Sequence, residues 1–434
     1  MFPALPFTHD PAALELRPRN RFVLRATDLS TRALTGQAGT FARSSAATLF
    51  DVNGAVVLVP ANVERFTAVD LDGDGIRETL AWWLERAATN LAIRSEDFSA
   101  WTATNSPTRT AAAKLCGDLV LDLLGDASGA SVADYRESID FTGDSVKGVS
   151  VFVAMGTSPA AAGSAIAIVD ETAAADRLRA TITFSSAGVP SVTAAAGTYL
   201  GAEPCTPGVY RLHFLTTSVT AANDHRVQLE PAATAAEQGN LYAGGVQVED
   251  TPYPTSYIPT VATTVTRAAE TLTFPLGWQP SDCTLWVSIA RPFWQRANAN
   301  DLAIALGTTE RRLLEVGCGS LTVAVRVLEN GDTYAAASDG AFTNGAASYA
   351  GAVSALPQLD ITAQFRNLLT GTEGRLAYGA AAFSAWNVTT KIAATPVTAP
   401  SWGSAPLITL AGDIALLACH IGAGLKTRDQ VQAL

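Results

Sequence analysis

The chain is short of charge and almost devoid of lysine. Only 16% of its 434 residues are charged against 48% hydrophobic, and four lysines stand beside twenty-five arginines. No basic cluster interrupts the net charge of −11, which argues against nucleic acid or an anionic membrane as a partner held by simple attraction. Cysteine is sparse as well. Cys116, Cys205, Cys283, Cys318 and Cys419 are widely spaced and form no C-x-x-C, so neither a zinc site nor a dense disulfide scaffold is expected, and buried free thiols are the plain reading. No run of about 18 apolar residues exists, and Met1–Asp10 lacks a basic stretch followed by an apolar one. These absences predict a protein made in a cytoplasm without a membrane anchor. Heptads and fixed-period repeats are missing too, which removes coiled coils, β-helices and propellers.

What is present points to strands. With 34 Gly and 21 Pro spread along the whole length, short strands and many turns are favoured over long helices. Val149, Val151, Val153 and Met155 recur at a period of two, as do Ala180, Ile182 and Phe184, then Tyr210, Leu212 and Phe214, then Val246 and Val248. Each set turns one face of a strand into a core. Turn-rich text separates them at Gly156–Pro159, Ser185–Gly188 and Thr206–Gly208. Further on, Leu285, Val287 and Ile289 alternate, as do Leu321, Val323, Val325 and Val327 before Asn330-Gly331, a type I′ hairpin signal. The end reads as a strand from about Gly412 followed by a short helix capped by Thr427 and Gln430.

Two segments bracket the first group of strands: Arg86-Ala-Ala-Thr-Asn90-Leu with Ser95-Glu-Asp-Phe-Ser-Ala-Trp101, and Gly245-Val-Gln-Val-Glu-Asp-Thr-Pro-Tyr-Pro-Thr-Ser-Tyr257-Ile-Pro-Thr260 with Thr266-Arg267. Before them come Phe41-Ala-Arg43-Ser44-Ser45-Ala46, then Asp51-Val-Asn53-Gly54, then Ala61-Asn62-Val-Glu-Arg65-Phe66. In this order they resemble the leader and jelly-roll module of bacteriophage and gene transfer particle fibre, spike and minor tail proteins. Gly208-Val209-Tyr210-Arg211 stands where that family usually writes a Trp in place of Val209. More loosely, residues 268–434 are similar to a concanavalin A-like or laminin G-like sandwich. The fold expected is therefore all-β, an N-terminal hairpin region followed by two antiparallel jelly-roll β-sandwiches. The domains expected are an attachment or oligomerisation arm over 1–40, a β-hairpin leader over 41–89, a carbohydrate-binding-like sandwich over 90–267 and a second sandwich over 268–434. A plain N-terminal edge strand is the alternative to the arm. Asn53-Gly54 reads as a two-residue hairpin turn because both residues tolerate positive φ.

One ligand-like constellation stands out. In Asp70-Leu-Asp72-Gly-Asp74-Gly75-Ile76-Arg-Glu78, carboxylates at positions 1, 3 and 5, a glycine at 6, the Ile76 carbonyl at 7 and a carboxylate at 9 suit a hard cation such as Ca²⁺. Ala81 replaces the bidentate glutamate of an EF-hand, and the flanks are strand-like, so the loop resembles the calcium hairpins of integrin-type propellers. The metal candidates are Asp70, Asp72, Asp74, Ile76 and Glu78, in a structural role; an acidic hairpin without metal is the alternative.

Catalytic signals are weak. The histidines His9, His213, His225 and His420 lie in no known catalytic motif, and alternation places His213 on the polar face of its strand, at an exposed or edge position. A carboxylate pair for glycoside hydrolysis has no local motif here. Sugar rings stack on flat aromatic faces. Trp294, Trp386 and Trp402, in turn-like text, are the carbohydrate-binding candidates, with local core packing as the alternative for each. Trp101, Trp278, Tyr253 and Tyr257 are expected to pack. The resemblance implies a non-catalytic adhesin on the surface of a virion, binding host capsular or surface polysaccharide and other virion proteins as a homo-oligomer, trimer or pentamer. A virion depolymerase and a purely architectural baseplate or decoration protein are the rivals.

Overall fold

The computed structural model describes residues 21–25, 40–69, 77, 79–275 and 283–290, together with strands between 301 and 423. It is nearly all strand. The central body is a sandwich of two antiparallel sheets. The outer sheet runs Pro190–Ala196, Ala175–Phe184, Ser164–Asp170, His225–Glu230, Asp134–Ile139, Thr102–Thr104 in spatial order. The middle sheet runs Thr198–Pro204, Tyr210–Leu215, Gly148–Met155, Gly239–Glu249, Leu119–Asp126, Thr108–Cys116, with Ala88–Asn90 beside Gly239–Glu249 and Val265–Arg267 beside Ala88–Asn90. The chain repeatedly crosses from one sheet to the other, for example at Met155 to Ser164 and Leu215 to His225, as a double-sheet jelly roll does.

Alternation decides what fills the space between the sheets. Val149, Val151, Val153, Leu212, Phe214, Val246 and Val248 from the middle sheet meet Tyr135, Ile166, Ile168, Leu178, Ile182, Val227 and Leu229 from the outer one. Removing such a side chain fully from water stabilises by about 1.5–3 kcal/mol. Phe98 and Trp101 close one end, their rings 4.9 Å apart edge to face, so Trp101 packs as expected.

The second face of the middle sheet is buried as well, because the leader and the closing bracket lie across it. Phe152, Leu119, Leu121, Val56, Val209 and Tyr257 form a smaller core there, with the Tyr257 ring 5.5 Å from Phe152. This corrects the expectation for His213. Its strand does present it on the polar face, but that face is covered; His213 is fully buried with Nε2 3.4 Å from Glu203 Oε2, and burial beside Arg211 holds its pKa well below the usual imidazole range.

The expected N-terminal hairpin region is not self-contained. Among the described residues of that region, only Ala47–Phe50 and Val56–Val59 form a sheet of their own. Thr40–Ala42 joins a seven-stranded sheet with Thr271–Pro275, Leu407–Gly412, Asp301–Leu306, Arg311–Gly317, Val325–Glu329 and Asp332–Ala337. Phe66–Val69 and Thr79–Leu84 join a second eight-stranded sheet with Ile414–Ala423, Cys283–Ala290, Gln358–Arg366, Glu373–Tyr378 and Asn387–Val388. Arg21–Arg25, inside the expected arm, pairs with the later part of Ile414–Ala423. Strands from both ends of the chain therefore share the two C-terminal sheets. The helix expected at Thr427 lies outside the described residues.

The Asn53-Gly54 turn also differs in detail. Phe50 pairs with Val56, so five residues form the loop, and Gly54 has φ +78° while Asn53 stays out of the positive-φ region. Asp51 is the reason: its Oδ1 accepts from the Asn53 and Ala55 amides at 2.8 and 2.9 Å, and its carbonyl accepts from Gly54 N–H at 3.0 Å. Such an Asx-type turn supplies by side chain what a tighter turn supplies by backbone.

Leader, brackets and C-terminal sheets meet in one buried ionic cluster. Glu270 accepts from Arg43 Nη1 at 2.5 Å, Arg65 Nε at 2.7 Å, Arg65 Nη2 and the Glu85 amide at 2.9 Å. Glu85 takes Arg65 Nη2 at 2.7 Å and Arg267 Nη1 at 2.8 Å, with Ser256 donating to both of its oxygens. All five charged side chains are fully shielded from solvent. Burial alone pushes Glu85 up, but the Arg267 and Arg65 charges outweigh it and hold the carboxyl well below the usual range. Asn90 ties the brackets together, donating to the Val246 and Ile258 carbonyls and accepting from the Ala92 and Val248 amides. Ser95 and Glu96 both bond the Tyr257 hydroxyl, at 2.7 and 2.8 Å.

Candidate functional site

The outer sheet turns one face to the core and the other away from it, and register fixes which side chains stand on the second. Arg136 lies opposite Gln228, Gln228 opposite Ala167, and Ala167 opposite Arg179; one row further, Glu230 lies opposite Ala165, and Ala165 opposite Thr181. Two alanines thus run down the middle strand between long polar neighbours. That low floor lets Arg179 reach over the middle strand and bind Glu230 in bidentate fashion, Nη1 to Oε1 at 3.0 Å and Nη2 to Oε2 at 2.6 Å. The arginine covers the floor, so Ala165 and Ala167 are buried although they point away from the core.

The result is a continuous deck of planar groups. Gln228 Nε2 donates to Glu230 Oε1 at 2.7 Å, Arg226 Nε donates to Gln228 Oε1 at 3.2 Å, and Arg226 Nη1 pairs with Glu171. Alongside, Arg136 binds Asp134 through Nε and through Nη2 at 2.8 Å. Burial outweighs the Arg179 contact and raises the Glu230 pKa, whereas the Asp134 hydrogen bond raises that of Arg136. Arg136, Arg179 and Arg226 each keep between a fifth and a third of their side chain in solvent. At the rim, Arg177 and Asn223 both bind Asp170, which also accepts from the Ala173 amide. Burial there is overcome by those donors, and the Asp170 pKa is pushed down to about 2.

Such a surface offers fixed donors and acceptors in a plane, with side chains pre-ordered by one another, so a polyhydroxylated ligand loses little to ordering the protein. It is poorly arranged for proton transfer. Both oxygens of Asp134 and of Glu230 are already committed to guanidinium donors.

The chain matches no protein-family model and no curated protein.

The tryptophans expected to bind sugar, Trp294, Trp386 and Trp402, lie outside the described residues, as does Trp278. So do Asp70, Asp72, Asp74, Ile76 and Glu78. The strands expected to flank that loop are in place: Phe66–Val69 and Thr79–Leu84 pair antiparallel with Val69 opposite Thr79. Arg77, within the acidic segment, sits with its guanidinium 4.8 Å from the Phe50 ring and 3.7 Å from Glu203, and donates to the Pro204 carbonyl at 3.3 Å. Among the described residues no three His, Cys, Asp or Glu side chains converge as a metal site. Tyr253 and Tyr257 are buried, as packing residues of the closing bracket. Sequence reasoning missed the deck. Its signal was an outward-facing set of Arg, Gln and Glu flanking Ala165 and Ala167, which alternation alone reads as an ordinary solvated face.

Proposed function

We propose that this protein is a virion-associated adhesin of fibre or spike type, made in a bacterial cytoplasm and displayed on the particle, whose jelly roll binds a host surface polysaccharide through the deck on its outer sheet. The observation that carries this reading is the ordered plane Arg136, Arg179, Arg226, Gln228 and Glu230 over its alanine floor. It is supported by the bonded frame in which Arg43, Arg65, Asn90, Ser95, Tyr257 and Arg267, residues that carry the resemblance to fibre and spike proteins, are held together with Glu85 and Glu270. A single flat site binds sugars weakly, and display as a trimer or pentamer converts weak contacts into avidity. Ca²⁺ held by Asp70, Asp72, Asp74, the Ile76 carbonyl and Glu78 would stiffen the hairpin that leads into the sandwich, without catalysis.

The test is retention of the purified chain on host cells and on a capsule-deficient strain. Capsule-dependent retention without shortening of the polymer establishes an adhesin; shortening would instead make it a depolymerase. A second reading, an architectural virion protein, is favoured by the internal pairing of the deck charges. It predicts no polysaccharide binding and retention only on other virion proteins.

A further inference from the structure

Two cysteines that are 89 positions apart in the chain, Cys116 and Cys205, are brought into one small core. Cys116 ends the strand Thr108–Cys116 at one edge of the middle sheet, and Cys205 follows Thr198–Pro204 at the other. The two tips fold toward each other over the second face of that sheet, where both residues pack in the core around Phe152, Val56 and Val209; a Cβ on Gly208, in the turn after Cys205, would fall 4.0 Å from Nζ of Lys114, two residues before Cys116. The Asp51–Ala55 turn rests on both. The Gly54 carbonyl is 3.8 Å from Cys116 Sγ, and a Cβ on Gly54 would fall 2.5 Å from the Cys205 carbonyl. Cys205 is held by the turn that follows, its amide donating to the Val209 carbonyl at 2.9 Å, and its Sγ lies 3.4 Å from the Glu203 carbonyl. Cys116 is buried and Cys205 is half-buried, so one of the pair is open to a small reagent.

We infer that Cys116 and Cys205 form an oxidisable dithiol that closes to a disulfide when the protein meets an oxidising medium, tying the two edges of the middle sheet together beneath the leader turn. The surroundings of the pair favour it: the neighbouring Cys205 foremost, with Thr206, outweighs burial and pushes the Cys116 pKa down to about 6, while burial pushes the Cys205 thiol up. The thiolate is the attacking species in exchange. With oxidised glutathione as oxidant, one cysteine thiolate attacks a glutathione sulfur, forming a mixed disulfide and releasing one glutathione thiolate. The second cysteine attacks the protein-bound sulfur, releasing the other. One glutathione disulfide is reduced, one protein disulfide forms, and the two thiol protons end on the two glutathione molecules. A protein made in a reducing cytoplasm would carry the pair as thiols and lock it after release.

The full-length chain is equilibrated with reduced and oxidised glutathione in a series of ratios, free thiols are alkylated, and a digest is mapped by mass. The expected result is a linked peptide containing Cys116 and Cys205, with loss of two alkylatable thiols per chain and a higher melting temperature than the reduced protein. In Cys205→Ser that rise is absent, and Cys116 carries at most one glutathione. Glutathione on either cysteine with no Cys116–Cys205 peptide at any ratio, or linkage of either to Cys283, Cys318 or Cys419, overturns the inference. The wild-type map decides alone if the variant fails to fold.

Discussion

Replacing Glu270 by Gln should be among the most damaging isosteric changes in the molecule. The buried cluster holds three guanidinium groups, Arg43, Arg65 and Arg267, against two carboxylates, Glu85 and Glu270. Neutralising Glu270 leaves three buried cations facing Glu85 alone, and places an amide N–H where Arg43, Arg65 and the Glu85 amide now donate. Breaking a buried pair by removing one partner costs about 3–5 kcal/mol. For a cooperative unit of about 200 residues, with roughly 2–4 °C of melting temperature per kcal/mol, this is a fall of roughly 6–20 °C. Arg43→Met is the internal comparison. It leaves Glu270 paired with Arg65, so it should cost less even though Arg43 also donates to the Ser45 and Pro60 carbonyls. Calorimetric melts of the two variants beside wild type decide the matter. A Glu270→Gln protein that melts within 2 °C of wild type, or above Arg43→Met, would refute the claim that this cluster holds leader and sandwich together (2 °C corresponds to about 0.5–1 kcal/mol).

Three more outcomes are expected. Gly54→Ala should destabilise the leader turn, because φ +78° disfavours a side chain and the new Cβ would sit 2.5 Å from the Cys205 carbonyl; faster amide exchange across Ala47–Val59 is the readout. Burial raises Glu203 and Glu249 to about 7 against Arg77 and the Thr255 amide respectively, so the folded state binds protons that the unfolded chain does not between about pH 4.5 and 7. Their contribution to stability should therefore be lost as pH rises through that window, while His213, whose pKa burial depresses, contributes in the opposite sense; Glu203→Gln should remove part of the downward contribution in a series of melts. Glu85 acts in the opposite sense: its depressed pKa contributes stability above about pH 4.5 that is lost as the pH drops further. Chelation should lower the melting temperature if the Asp70–Glu78 loop holds calcium, and Asp72→Asn should abolish that response.

Much of the fold was legible because period-2 alternation is a local signal. Val149, Val151 and Val153 announce their strand without knowledge of any partner. The same signal cannot report how many faces of a sheet are covered, which is why His213 read as exposed and is buried. Nor does it report which sheet a strand joins: Phe66–Val69 and Thr79–Leu84 read as a leader hairpin, yet pair onward to Ile414–Ala423, more than 300 residues away. The bracket motifs were visible as text, but their physical sense, guanidinium and carboxylate groups converging on Glu85 and Glu270, depends on long-range geometry. The deck stayed hidden for a related reason. Ala165 and Ala167 look like unremarkable strand residues until register sets them beneath Arg179.

The most direct test of the central claim is quantitative binding of the full-length chain to a panel of bacterial surface polysaccharides, repeated with Arg179→Ala, Arg136→Ala and Arg226→Ala, each checked for an intact melt. Hydrogen bonds to charged groups are worth about 1.5–3 kcal/mol each, so a folded variant should bind a recognised polymer roughly tenfold or more weakly than wild type. Binding undiminished in all three variants, or none to any polymer by the wild-type chain, would contradict the account.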